Sequence, residues 1–343
     1  MAPRKKVAPS QPAIPNPEQE TVIKADTGFF KVLAGPGSGK SFCLVNRYVR
    51  LVQSGVSPQD LLSLTFTNSA AKQMRDRAEA IIPVQKTDRV SGWMTFHSLA
   101  LQFCTLERDH FPFKLAESVL ALEPVAAKIA SDIARKYEMD YRNLRPYISL
   151  QKRNRVRPKD ALALAEKSGT GEKQALAYKM YQSRLLEAGI LDFDSLILEM
   201  SSLLETNLEV RKRWSYRFIQ SDESQDNSPL EWNILRSISA TNGNLLAVGD
   251  CGQGVYGFRG AEGQLFMDMD RIFGNVKTLY LAKNHRSTPQ ITALCKQIGP
   301  VKELAEKFYS TNLDGPDPVI KGFASSHHEA EFIVKEIKSS LCL

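Results

Sequence analysis

Five short, largely apolar runs punctuate this chain: Phe29–Leu33, Leu61–Phe66, Tyr216–Ile219, Leu245–Val248 and Leu279–Leu281. Brief apolar runs closed by polar or turn-forming residues predict strands buried on both faces of a parallel sheet. The first is followed by a glycine-rich stretch. The others end in Thr67-Asn68, Ser221-Asp222-Glu223, Gly249-Asp250 and Lys283-Asn284. Ligands of open parallel sheets bind outside the carboxyl ends of the strands, so these clusters are expected to converge on one site. A helix is expected over Ser69–Ala80. Between about Leu106 and Gly189 strand signals vanish and helical periodicity takes over, as in Ala161–Lys167 and Gln174–Ala188. That pattern predicts a helical domain inserted into the parallel-sheet domain. After Asn284 come a helix-like stretch, a proline-glycine break at Asp314–Pro318, a strand-like Val319–Phe323 and a helix-like Glu329–Ser339. A strand and a helix bury too little to stand alone, so this part reads as the start of a domain that the chain does not complete.

At 343 residues the chain is long enough for two or three domains. No apolar run reaches the length of a membrane span. Met1–Ser10 is basic and proline-containing with no apolar core after it, so no signal peptide is expected, and residues 1–15 read as a disordered basic tail. Five scattered cysteines (Cys43, Cys104, Cys251, Cys295, Cys342) lack metal-type spacing. They point to free thiols in a reducing compartment, the cytoplasm or a eukaryotic nucleus. The net charge of +7 hints at an anionic partner. Tyr141–Lys159 holds Arg142, Arg145, Lys152, Arg153, Arg155, Arg157 and Lys159 and no acidic residue. Two readings stand: a solvated helix face, or a contact to a nucleic-acid backbone.

The strongest chemical signal is Ala34-Gly35-Pro36-Gly37-Ser38-Gly39-Lys40-Ser41 after the first strand. Strand, glycine turn and Gly-Lys-Ser entering a helix form a phosphate-binding loop. Its backbone N–H groups cradle anions and the helix N-terminus adds a positive dipole end. Lys40 is expected to reach the outer phosphates, and the Ser41 hydroxyl to ligate Mg²⁺. Asp222 is the second expected Mg²⁺ ligand, and Glu223 the group that orients and deprotonates the attacking water. Gln225 and Asp226 could couple that site to its neighbours. Gln253 is a candidate sensor of the terminal phosphate. Tyr256, Phe258 and Arg259 read either as a stacking platform for a single strand or as core residues. Phe66 could stack on a base and Asn68 could hold the strand's backbone, with Thr95 and His97 doing similar work.

Together Ala34–Ser41, Leu64–Lys72, Thr95–Ala100, Asp222–Asn227, Val248–Ala261 and Asn284–Ser287 resemble, in order and spacing, the motifs of the UvrD/Rep superfamily 1 DNA helicases. The resemblance covers roughly Asn16 to Ser340. It implies an ATP-driven translocase moving 3′ to 5′ on single-stranded DNA, working at a duplex junction. The implied fold is α/β: a RecA-like P-loop NTPase domain 1A (16–105 and 190–284), a helical insertion 1B (106–189) and the beginning of a second RecA-like domain 2A (285–343). It also implies Gln19 as the adenine contact, Gln253 and Arg286 at the γ-phosphate, and His285 where the family usually stacks a Tyr on adenine. Ser224 replaces a Phe, Cys251-Gly252 an acidic pair and Gly254 a Ser. The family's later motifs, including the arginine from domain 2A, have no counterpart before Leu343. The chain alone is therefore expected to bind ATP and single-stranded DNA but to unwind poorly unless a second polypeptide supplies them. An ATP-gated strand-binding protein without translocation is the alternative. A small-molecule kinase explains neither Phe66-Thr67-Asn68 nor the Tyr256/Phe258 loop.

Overall fold

The computed structural model describes residues 14–83, 89–250, 252, 263–298 and 302–341. Its centre is a parallel sheet of β1 (Gly28–Ala34), β2 (Leu61–Thr65), β3 (Gly92–Thr95), β4 (Tyr216–Ser221), β5 (Ser239–Gly249) and β6 (Val276–Leu281). Their order across the sheet is β3-β2-β4-β5-β1-β6. All pairings are parallel, so every carboxyl end lies along one edge. Alternate residues of each central strand serve opposite faces, as the pleat requires. Val32, Ala34, Leu246 and Val248 join one core cluster, whereas Leu33, Leu245 and Ala247 join the other. The first face is covered by α1 (Pro17–Ile23), α2 (Lys40–Gln53) and α3 (Asn68–Glu79). The second is covered by α4 (Phe96–Leu106) and by helices that return after the insertion.

The insertion consists of α5 (Glu123–Lys136), α6 (Tyr141–Arg153), α7 (Pro158–Ser168) and α8 (Glu172–Glu187). It has its own core, in which alanines such as Ala126, Ala130, Ala161 and Ala175 let the helices approach closely around Tyr178 and Tyr181. The chain enters and leaves it side by side. Leu120 and Leu191 form a parallel bridge, with Ala121 N donating to Leu191 O and Leu191 N to Val119 O, both at 2.8 Å. Then follow α9 (Phe193–Thr206), α10 (Leu208–Arg213), α11 (Pro229–Ile238), α12 (Gly263–Met267) and α13 (Met269–Phe273). Polar residues start many of these helices at the positions expected of N-caps: Asn16, Thr67, Thr95, Asp140, Asp192, Asn207 and Ser228.

Much of the basic run is engaged within the protein, while Arg142, Arg155 and Lys159 are exposed. Arg142 pairs with Asp140 and Arg145 with Glu123. Lys152 is fully buried on Asp192, Arg153 pairs with Asp194, Arg155 with Glu205 and Arg157 with Glu199. The last four pairs clamp the end of α6 and the turn into α7 onto α9 and the Asp192 that caps it. These four residues form an ionic seam around the buried Lys152, and only Arg153 among them also lines the groove described below.

Beyond the main sheet, β7 (Lys283–Asn284) pairs with β8 (Tyr309–Ser310), accompanied by α14 (Pro289–Ile298), α15 (Lys302–Ala305) and α16 (Ser326–Ser340). The strand expected at Val319–Phe323 is not formed: the segment has no regular structure, and Val319 and Ile320 are exposed. A strand needs a neighbour for its N–H and C=O groups, and none stands there among the described residues. No residue of α16 is buried. Strand β3 was not anticipated, because four residues carry too little alternation to read. No helix among the described residues is long and apolar enough to cross a membrane.

Candidate functional site

Strand β1 ends at Ala34, the loop Gly35–Gly39 turns over its carboxyl end, and α2 begins at Lys40. Gly37 and Gly39 hold φ of +70° and +88°, a region that side chains strain to enter. A Cβ on Gly37 would stand 2.4 Å from Asn284 Oδ1, and one on Gly39 2.7 Å from Gln19 Nε2. No side chain caps α2 and no acidic residue stands in its first turn, so the orphan N–H groups stay available to an anion. The Ser38 hydroxyl is buried without a partner. Pro36, Gly37, Ser38, Gly39, Lys40, Ser41 and Arg286 line one cavity with Glu223.

The acidic pair follows β4. The Asp222 backbone N–H donates to Leu64 O at 2.9 Å, while its Oδ1 is buried without a partner. Burial first, and Glu223 second, push the Asp222 carboxyl up to about 7. A buried acid beside a second carboxylate behaves in this way. Glu223 sits at φ +49°, ψ +41°, a left-handed conformation that costs about 1–2 kcal/mol and aims its side chain back at the loop. Its Oε2 accepts from Lys40 Nζ at 3.1 Å and from Gln225 Nε2 at 3.0 Å. Gln225 also donates to Asp226 Oδ2 at 3.1 Å and accepts the Asp250 N–H at 2.9 Å. Asp250 is raised by burial, and Asp226 is raised to about 6 by burial and by Glu223.

The donor set would suit a divalent cation. Ser41 and Asp222 line the same cavity, and Asp222 has an oxygen to give. Among the described residues no group of three or more His, Cys, Asp or Glu side chains could hold a metal by itself.

Gln19 and His285 close the other side. In the capping box of α1, Gln19 N donates to Asn16 Oδ1 at 2.9 Å and Asn16 N to Gln19 Oε1 at 3.1 Å. Gln19 Nε2 donates to Ser38 O at 3.1 Å. Both ends of this expected adenine reader are thus engaged, and it braces the loop. His285 N donates to Gly37 O at 2.9 Å. Its Nε2 accepts from Asn16 Nδ2 at 3.1 Å, which puts the ring proton on Nδ1. Burial and Lys283 lower its pKa. Gln73 and Arg77, four residues apart on α3, also line the phosphate cavity and were missed by sequence reasoning. Their spacing on the helix after Thr67-Asn68 was the only signal.

A second cavity, of about 170 Å³, holds Phe66, Thr95, His97, Arg153, Asp194 and Asp226 among its walls. Phe66 is 39% exposed, and His97 meets Phe193 edge-on at 5.6 Å. Thr95 caps α4 through Ser98 N at 3.1 Å and donates to Asn68 Oδ1 at 3.4 Å. The structure therefore brings Phe66, Asn68, Thr95 and His97 together. Gln253, Tyr256, Phe258 and Arg259 lie outside the described residues.

Comparison with known proteins supplies the family. A sequence model of the UvrD/REP helicase N-terminal domain matches residues 15–274. The ATP-dependent DNA helicase PcrA of Staphylococcus epidermidis is 29% identical over 335 residues, 94% of this chain and 45% of that protein. PcrA of Staphylococcus aureus is 29% identical over 338 residues, with the same coverage of 94% and 45%. The chain thus spans less than half the length of these relatives. With a matched segment that runs from the capping box of α1 through the phosphate loop to α13, the chain belongs to the UvrD/REP helicase N-terminal domain family.

Proposed function

We propose that this chain binds ATP with Mg²⁺, hydrolyses it, and couples the cycle to movement along single-stranded DNA, 3′ to 5′ as its family resemblance implies. The observation that carries the reading is the Lys40–Glu223 pair at 3.1 Å beneath an uncapped helix N-terminus, beside a buried Asp222 with an unpartnered oxygen. ATP phosphates would enter the glycine cradle and take Lys40 from Glu223. Glu223, still held by Gln225, would then orient water and accept its proton. Ser41 and Asp222 would hold Mg²⁺, which supplies charge neutralisation at the phosphates when bound. Arg286, Arg77 and Gln253 would meet the outer phosphates, and His285 would stack at the base. Phe66, Asn68, Thr95 and His97, with Tyr256, Phe258 and Arg259, would receive the strand at or near a duplex junction.

In this reading residues 16–105 and 190–284 form domain 1A, 106–189 domain 1B, and 285–343 the first part of domain 2A. A cytoplasmic setting among nucleic acid follows. A second polypeptide is a candidate source of the remaining motifs. The exposed apolar residues of α16 (Ile333, Val334, Ile337) also favour a second reading, an ATP-gated strand binder that does not translocate until that face is covered.

The test is ATP turnover with and without oligothymidylate. Wild-type turnover should rise with the strand. Lys40→Ala should lose nucleotide binding. Glu223→Gln should keep binding but lose about 10²–10⁴-fold in turnover. Turnover indifferent to DNA, or unchanged in Glu223→Gln, would overturn the proposal.

A further inference from the structure

Two cavities share a wall. Phe66 and Asp226 line both the groove that holds Thr95 and His97 and the chamber that holds Ser41, Asp222 and Glu223. Phe66 is an apolar partition. Asp226 carries a connection. One of its carboxylate oxygens accepts from Gln225 Nε2 at 3.1 Å, and the other, Oδ1, is buried with no hydrogen-bond partner. The same Gln225 amide group donates to Glu223 Oε2 at 3.0 Å, and its oxygen accepts the Asp250 N–H at 2.9 Å. Glu223 in turn holds Lys40 at 3.1 Å. Three hydrogen bonds therefore run from the groove wall to the lysine of the phosphate loop, through one amide that bridges two carboxylates.

We infer that Asp226 is the positioning residue through which occupancy of the groove is felt at the nucleotide site. The inference rests on the proposed function, in which the groove takes single-stranded DNA and the chamber Mg²⁺-ATP. A buried acceptor without a donor is unfavourable, and a base-edge N–H or an ordered water brought in by the strand satisfies it. Satisfied, the Asp226 carboxylate is fixed in place, and so is the Gln225 amide group that it shares with Glu223. Unsatisfied, it competes for that amide. The two ligands then bias one shared network, and the coupling must be reciprocal.

The experiment needs no turnover. The affinity of the whole chain for a fluorescent, non-hydrolysable ATP analogue with Mg²⁺ is titrated with and without saturating oligothymidylate. The ratio of the two dissociation constants is the coupling. The wild type should show a ratio of about fivefold or more. Asp226→Ala should bring it to within about twofold of unity. Asp226→Asn, which can still accept from Gln225, should give a value between the two. A variant that merely loosened the fold would weaken both ligands without changing their ratio. A wild-type ratio in Asp226→Ala overturns the inference. If that variant does not fold, a wild-type ratio in Asp226→Asn does the same. A ratio of one in the wild type also overturns it, yet leaves the proposed function standing because both ligands bind. Failure of the wild type to bind either ligand overturns the proposed function and the inference with it.

Discussion

A single methyl group on Gly37 tests how finely the phosphate cradle is set. The residue sits at φ +70°, and its new Cβ would meet Asn284 Oδ1 at 2.4 Å and Arg286 Cβ at 2.8 Å. The left-handed backbone alone costs about 1–2 kcal/mol for a side-chain-bearing residue. Gly37→Ala should therefore weaken Mg²⁺-ATP binding by about tenfold or more while far-ultraviolet circular dichroism stays native; unchanged affinity in a nucleotide titration would refute the close approach. Lys40, Ser41, Asp222 and Glu223 were legible in sequence because each belongs to a local run at the end of a strand. Gln73 and Arg77 were not, because their place in the cavity depends on how α3 lies over the loop. Gln19 was found as a site residue, but its engagement with Ser38 O could not be read from spacing.

At the scale of elements, the seam between α6 and α9 is the least legible feature and the most consequential for stability. Burial would raise the Asp192 carboxyl, but Lys152 Nζ at 2.8 Å and the Ser195 hydroxyl and N–H outweigh it and hold the group down to about 2. Its folded value lies below the ordinary ~3.9, so the folded state binds fewer protons than the unfolded chain. The stability that it supplies is complete above about pH 4 and fades as pH falls toward 2. Asp192→Asn should remove that part of the acid dependence and leave Lys152 buried without its counter-charge. The expected loss is about 3–5 kcal/mol at neutral pH, read by urea unfolding. An unfolding midpoint equal to wild type would show that the seam is not buried. Sequence could not assign these partners because Lys152 and Asp192 lie 40 residues apart. A run without acidic neighbours looks free until a distant helix is folded against it. Strands β1, β2, β4 and β5 were legible for the opposite reason, since burial on both faces writes itself into consecutive residues. Val319–Phe323 carried the same signature without a partner strand, which pattern alone cannot supply.

At the scale of the molecule, the parallel sheet carries nearly all of the proposed chemistry on one edge, while α16 stands with no buried residue. Phosphoryl transfer in this class of site gains several orders of magnitude from an arginine brought in by a closing partner. The relatives are more than twice as long as this chain. The isolated chain should therefore bind nucleotide and strand but open a tailed duplex slowly or not at all, and sustained strand separation in a fluorescence unwinding assay would contradict this. The architecture as a whole was readable because alternating strand and helix signals, interrupted once by a purely helical stretch, leave few arrangements open.

The parallel bridge between Leu120 and Leu191 makes the helical insertion a graft on a single stem. Its two ends run in the same direction one strand spacing apart, about 5 Å. A splice of one or two residues from Val119 to Asp192 could therefore carry the chain across this stem without disturbing the sheet beneath. What such a cut would expose is the scar. Asp192, Asp194, Glu199 and Glu205 would keep their charges and lose their counter-ions together. The host is thus topologically indifferent to its insert but electrostatically dependent on it, and any exchange of the insert must carry a matching set of cations.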